Sequence, residues 1–69
     1  MRNPWGLTQR EIEAVEALIH YGVNKTAAHH LGRSVKSIEL RLRRAKAKTG
    51  QHTYGLIALW AAHTARTAA

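Results

Sequence analysis

Apolar residues recur along the chain at helical spacing, and no stretch alternates with the period of two that marks a strand. Ile12, Val15, Leu18 and Ile19 form the first such stripe. It opens at Thr8-Gln9-Arg10-Glu11, which fits a capping box. There the Thr hydroxyl accepts from the third helical amide and Glu11 reaches back to the cap. The Glu residues mostly face away from the stripe, and as early acids they suit the positive end of the helix dipole. Gly22 ends this first helix. Asn24 is placed to cap a second, short helix ending at Leu31, with Ala27, Ala28 and Leu31 inward. Gly32 breaks it. Ser34 caps a third helix over 35–49, which stops at Gly50. A fourth begins around Thr53, with Leu56, Leu59, Trp60 and His63 as its stripe. Four helices with short turns predict an all-α domain over residues 7–66. Residues 1–6 read as an arm and 67–69 as a frayed tail. Trp5 is placed to close one end of the core.

Size then removes several functions. A chain of 69 residues makes one domain with a small core, in which a deep substrate cavity has no room. With no Cys, disulfides and thiolate metal sites are excluded. The longest apolar run, Gly55 to Ala62, falls far short of a membrane span, and the start does not read as a signal peptide. A cytoplasmic protein with no membrane partner is expected. Five His residues, at 20, 29, 30, 52 and 63, include no pair spaced i, i+4, so no metal site is expected. Four Glu, no Asp and no Cys leave few catalytic sets, and Ser34 and Ser37 have no evident base. The expectation is a protein that is not an enzyme and uses no cofactor or small-molecule ligand.

Charge points to a partner. Eleven Lys and Arg face four acids, a net +7 that suits a polyanion. Seven of the eleven fall between positions 33 and 48: Arg33, Lys36, Arg41, Arg43, Arg44, Lys46 and Lys48. Only Glu39 opposes them there, while Glu11, Glu13 and Glu16 cluster near the start. Turned at about 100° per residue, the third helix puts Ile38, Leu42 and Ala45 inward, with Val35 and Thr49 near them. Lys36, Leu40, Arg43 and Ala47 fall opposite, flanked by Ser37 and Arg44. Arg41 and Lys48 take one shoulder, Glu39 and Lys46 the other. Such a face suits the major groove. Leu40 offers an apolar contact to a thymine methyl, Arg43 and Lys36 reach guanine, and the shoulder cations meet phosphates. Residues 24–43 also have the marks of a helix-turn-helix. Ala28 gives close helix approach, Gly32 the turn, and Ile38 an aliphatic anchor.

These residues resemble the LuxR-type, or GerE-type, helix-turn-helix domain of bacterial transcription regulators. Leu7-Thr8-Gln9-Arg10-Glu11 matches that family's opening, and Asn24-Lys25 with Ala28 and Leu31 resembles its second helix. Ser34, Ser37-Ile38-Glu39, Leu42, Lys48 and Gly50 follow its third helix, and Leu59-Trp60-Ala61 its last. The similarity spans about residues 5–63. Arg33, Arg41 and Tyr54 depart from the family's usual residues, so the chain reads as a divergent, stand-alone member. The resemblance implies a four-helix domain that binds double-stranded DNA, in a bacterial cytoplasm and associated with the nucleoid. It places Glu39, Leu40 and Arg43 among the base-reading residues, with Lys36 beside them. Ser37 and Lys25 fall at phosphates, joined by Asn24, Thr26, Arg41, Arg44, Lys46 and Lys48. It also implies a homodimer through the fourth helix, for which Tyr54, Ile57 and Ala61 are the candidate surface. The expected role is a small transcription regulator. The alternatives are a DNA-binding accessory protein of a phage or other mobile element, acting in transposition, recombination or packaging, and a protein-interaction module built on the first and fourth helices.

Overall fold

Thr8 caps the first helix of the computed structural model, which describes residues 3–68 and the side chains of residues 3–66. Four helices follow in order: α1, Gln9–Tyr21; α2, Asn24–Leu31; α3, Val35–Thr49; and α4, Thr53–Ala68. No strand occurs among the described residues. The capping box of α1 forms as its residues predict. The Glu11 amide donates to Thr8 Oγ1 at 3.2 Å, and the Thr8 amide to Glu11 Oε1 at 2.9 Å. Ser34 caps α3 by accepting from the Ser37 amide at 3.1 Å. Gly32 ends α2 at φ 66°, a left-handed backbone that costs other residues about 1–2 kcal/mol.

Asn24 does not cap α2. The cap is Val23, in extended conformation and without a side-chain hydrogen bond, and Asn24 is the first helical residue. The connection from α1 is only Gly22 and Val23, and Gly22 completes the reversal in its left-handed conformation. One extended residue then suffices before helix resumes.

Both ends carry local structure. Within the expected arm, Asn3 folds the chain into a turn. Its Oδ1 accepts from the amides of Leu7 at 2.8 Å and Trp5 at 3.2 Å, and its Nδ2 donates to the Leu7 carbonyl at 3.1 Å. That turn lays Trp5 against Trp60, with ring centroids 6.2 Å apart, and against His63 at 5.1 Å, so Trp5 does close one end of the core. Residues 1 and 2 of the arm lie outside the described residues. At the other end α4 continues through 67 and 68 of the expected tail, and only position 69 lies outside. Alanine-rich sequence favours helix.

The core lies where α1 packs on the other three helices and α3 packs on α2 and α4. Leu7, Ile12, Ala14, Val15, Leu18, Ala28, Ile38, Leu42, Ala45, Leu56 and Trp60 form it. Ile19 stays 41% exposed, because α4 faces it with the small Ala61 and Ala65, which leave a groove there. Val35, placed toward the core by its helical angle, also stands open at the start of α3.

One charged group belongs to this interior. Glu11 is 2% exposed, and its Oε1 accepts from Lys48 Nζ at 2.7 Å. Lys48 also donates to the Gly6 carbonyl at 3.1 Å. Burial pushes the Glu11 carboxyl upward. The Lys48 and Thr8 hydrogen bonds and the Lys48 charge pull harder the other way, so its pKa lies below the ordinary 4.5. A depressed folded-state pKa stabilises the fold fully above the unfolded value. That contribution is lost as pH falls through the folded value. Lys48→Met should therefore lower stability by about 1–3 kcal/mol at neutral pH, the cost of a buried carboxylate without its cation. In urea unfolding series the deficit should shrink as pH falls below about 4.5, and a pH-independent deficit would refute this origin.

Candidate nucleic-acid interface

The two sides of α3 separate by burial as their angles predict. Ile38, Leu42 and Ala45 are buried, while Lys36, Glu39, Leu40, Arg43, Arg44 and Ala47 are exposed. Leu40 is 39% exposed, and its neighbours one turn away along α3 are Lys36, Ser37, Arg43 and Arg44. The side chains of Lys25, Arg33, Lys36, Arg43 and Arg44 make no hydrogen bond or ion pair with any described residue. Glu13 and Glu16 border grooves that α1 makes with α2 and α4, away from α3. The third helix thus presents a cationic outer face that the chain's own acids, Glu39 excepted, do not neutralise.

The shoulders of α3 have different fates. On one side Lys48 turns back to Glu11 and Gly6, so its ammonium does not stand with the outer cations. Two of its three N–H donors are thereby used within the fold, and the side chain is still 35% exposed. Arg41, beside it, is half-buried, and its Nε is buried without a hydrogen-bond partner. On the other side Lys46 leans toward the start of α4, where its Nζ lies 3.4 Å from Thr53 Oγ1. Ser37 is half-buried, with its amide taken by Ser34, while its hydroxyl makes no hydrogen bond among the described residues. At the start of α2, Lys25 is exposed and Asn24 and Thr26 are half-buried.

A cleft of about 300 Å³ gathers several of these residues. Glu39, Arg43 and Lys46 of α3 line it with Asn24 of α2 and Thr53 of α4, over Leu18, Leu42 and Leu56. The structure therefore joins Arg43 and Glu39, expected to read bases, with Asn24 and Lys46, expected at phosphates. Lys36 and Leu40 remain on the open face outside that cleft. The part played by Thr53 was not legible in the sequence. It lies on another helix and carries no motif that ties it to Lys46.

On α4 the candidate dimer residues are unequal. Tyr54 is 87% exposed and Ala61 is exposed, but Ile57 packs against the core. Four of the five histidines make ring contacts: His20 and His30 against Tyr21, the latter stacked at 4.1 Å, His29 against His30, and His63 between Trp5 and Trp60. No group of three metal-binding side chains occurs among the described residues, and no described helix is long and apolar enough to cross a membrane.

No protein-family model matches the chain, and no curated protein or solved structure matches it.

The division of α3 into inner and outer faces has a direct check. Leu40→Ser should change stability by no more than about 0.5 kcal/mol, as at other exposed sites. Leu42→Ala, on the buried face, should cost about 2–5 kcal/mol. Thermal unfolding of both variants measures this, and comparable losses would mean that the faces are misassigned.

Proposed function

We propose that this chain is a sequence-specific double-stranded DNA-binding domain of LuxR-like helix-turn-helix type, serving as a small transcription regulator. The carrying observation is the outer face of α3, where unpaired Lys36, Arg43 and Arg44 surround an exposed Leu40. A solvated face has no use for a central Leu. A helix entering the major groove does, because thymine methyls line that groove. The connection from α2 to α3 supports the same reading. Gly32 turns the chain in a left-handed conformation, Ser34 caps the next helix, and the small, buried Ala28 lets α2 lie close to α3.

On this reading α3 lies along the major groove with Lys36 and Leu40 over base edges. Lys25, Arg44 and Lys46 approach the phosphates of the flanking strands, together with the first residues of α2. Lys48 serves the fold instead, holding Glu11. Each neutralised phosphate releases condensed counterions, so affinity falls with salt. The three cations give a slope of log affinity against log salt of about −3.

Selection of bound duplexes from a random pool, followed by salt titration, tests the proposal. A steep slope and an enriched consensus are expected; a flat salt dependence would sink it. On the selected site Lys36→Ala should cost about 1–3 kcal/mol and relax the sequence preference. Lys25→Ala should weaken selected and random duplexes alike and reduce the salt slope by about 1. If both variants lost affinity equally on both kinds of DNA, the division between base reading and phosphate contact would be wrong.

A further inference from the structure

We infer that the cleft between α3 and the starts of α2 and α4 is a seat for a single phosphodiester group; that the group belongs to a nucleic-acid backbone rests on the DNA-binding reading above. The cleft's volume of about 300 Å³ is several times the roughly 30 Å³ that one water occupies, which leaves room for a small anion and some of its hydration. Its floor is Leu18, Leu42 and Leu56, each at most 5% exposed. An apolar floor lowers the local dielectric and strengthens any charge interaction above it.

The walls carry the recognition. Arg43 and Lys46 stand three residues apart on one side of α3, so two like charges share the cleft. Arg43 has no partner among the described residues. Lys46 has only the long contact to the Thr53 hydroxyl, which an anion would displace at little cost. Glu39 lies on the same wall, yet no ion pair joins it to either cation. Two cations and one acid leave a net charge of one positive unit. That matches the single negative charge of a phosphodiester better than the double charge of a phosphate monoester. Asn24 and Thr53 supply neutral donors from the two facing helices. The assignment moves Arg43 from base edges to the backbone. Its planar fork suits two phosphate oxygens, a geometry that a Lys ammonium does not offer.

Amide and side-chain NMR signals of the full chain, titrated first with dimethyl phosphate and then with a short duplex, test the seat. Signals of Asn24, Arg43, Lys46 and Thr53 should move with dimethyl phosphate ahead of those of Lys36 and Arg44. Lys46→Ala should weaken this binding at least about tenfold. Glu39→Gln changes an exposed, unpaired residue without threatening the fold. It should tighten binding about threefold by removing one repulsive charge. The duplex should move the same cleft signals and abolish the response to dimethyl phosphate. Even movement along the whole of α3, or no tightening in Glu39→Gln, would overturn the seat. A duplex that binds while the cleft signals stay still would also overturn it and leave the DNA reading standing. Dimethyl phosphate in the cleft with no duplex binding would uphold the seat and remove the DNA reading.

Discussion

The Glu11 carboxylate ties the two ends of the scaffold together. Through Thr8 it closes the start of α1, and through Lys48 it clamps the end of α3 to that start. Lys48 reaches on to the Gly6 carbonyl, so the turn built on Asn3 is held by the same cation. A carboxylate this deeply buried is costly unless every strong partner is in place. Here a backbone amide and an ammonium satisfy it. The angle at which α3 crosses α1 therefore depends on a charge pair as well as on the apolar contacts of Val15, Leu18, Ile38 and Leu42. Burial of Ile38, Leu42 and Ala45 decides which side of α3 faces inward, and so which side faces outward.

The packing also explains why the basic residues of α3 are not equivalent. One shoulder abuts the start of α1, and its cation is consumed by structure. The other abuts the starts of α2 and α4, and its cations are left beside neutral donors with one unpaired acid. Between them, the outer face carries Lys36, Leu40 and Arg44 into solvent. A composition count treats seven basic residues as one patch. The fold sorts five of them into a structural clamp (Lys48), a lined cleft (Arg43 and Lys46) and an open face (Lys36 and Arg44), with Arg41 half-buried and Arg33 exposed before the helix. Under the proposed reading the clamp serves stability and the cleft serves backbone contact, while on the open face Lys36 and Leu40 meet bases and Arg44 a phosphate.

The acids are sorted in a parallel way. Glu13 and Glu16 stay on α1 along grooves that α2 and α4 border, and Glu16 accepts from the Trp60 indole at 3.3 Å. That bond fixes the large ring closing the core, next to Trp5 and His63. Charge segregation in the sequence thus becomes segregation between surfaces, with the third helix left cationic.

Much of the architecture is local, which is why it could be read from the chain. Capping at Thr8 and Ser34, the stops at Gly22, Gly32 and Gly50, and the inward face of α3 each depend on residues within a turn or two. Other features depart from expectation, two of them through their immediate chain neighbours and one through a distant helix. Asn24 lost its capping role to a two-residue connection, the arm became a turn around Asn3, and Ile19 was left open by small residues on α4. The partnership of Glu11 with Lys48 spans 37 positions, and that of Lys46 with Thr53 crosses between helices. Periodicity cannot report such pairings, because a charge at a given helical angle is compatible with solvent, a partner or a ligand. By itself the sequence determined four helices, the glycine stops of the first three and a basic third helix. Only the tertiary packing decided which of those cations are spent inside the protein and which remain to meet something else.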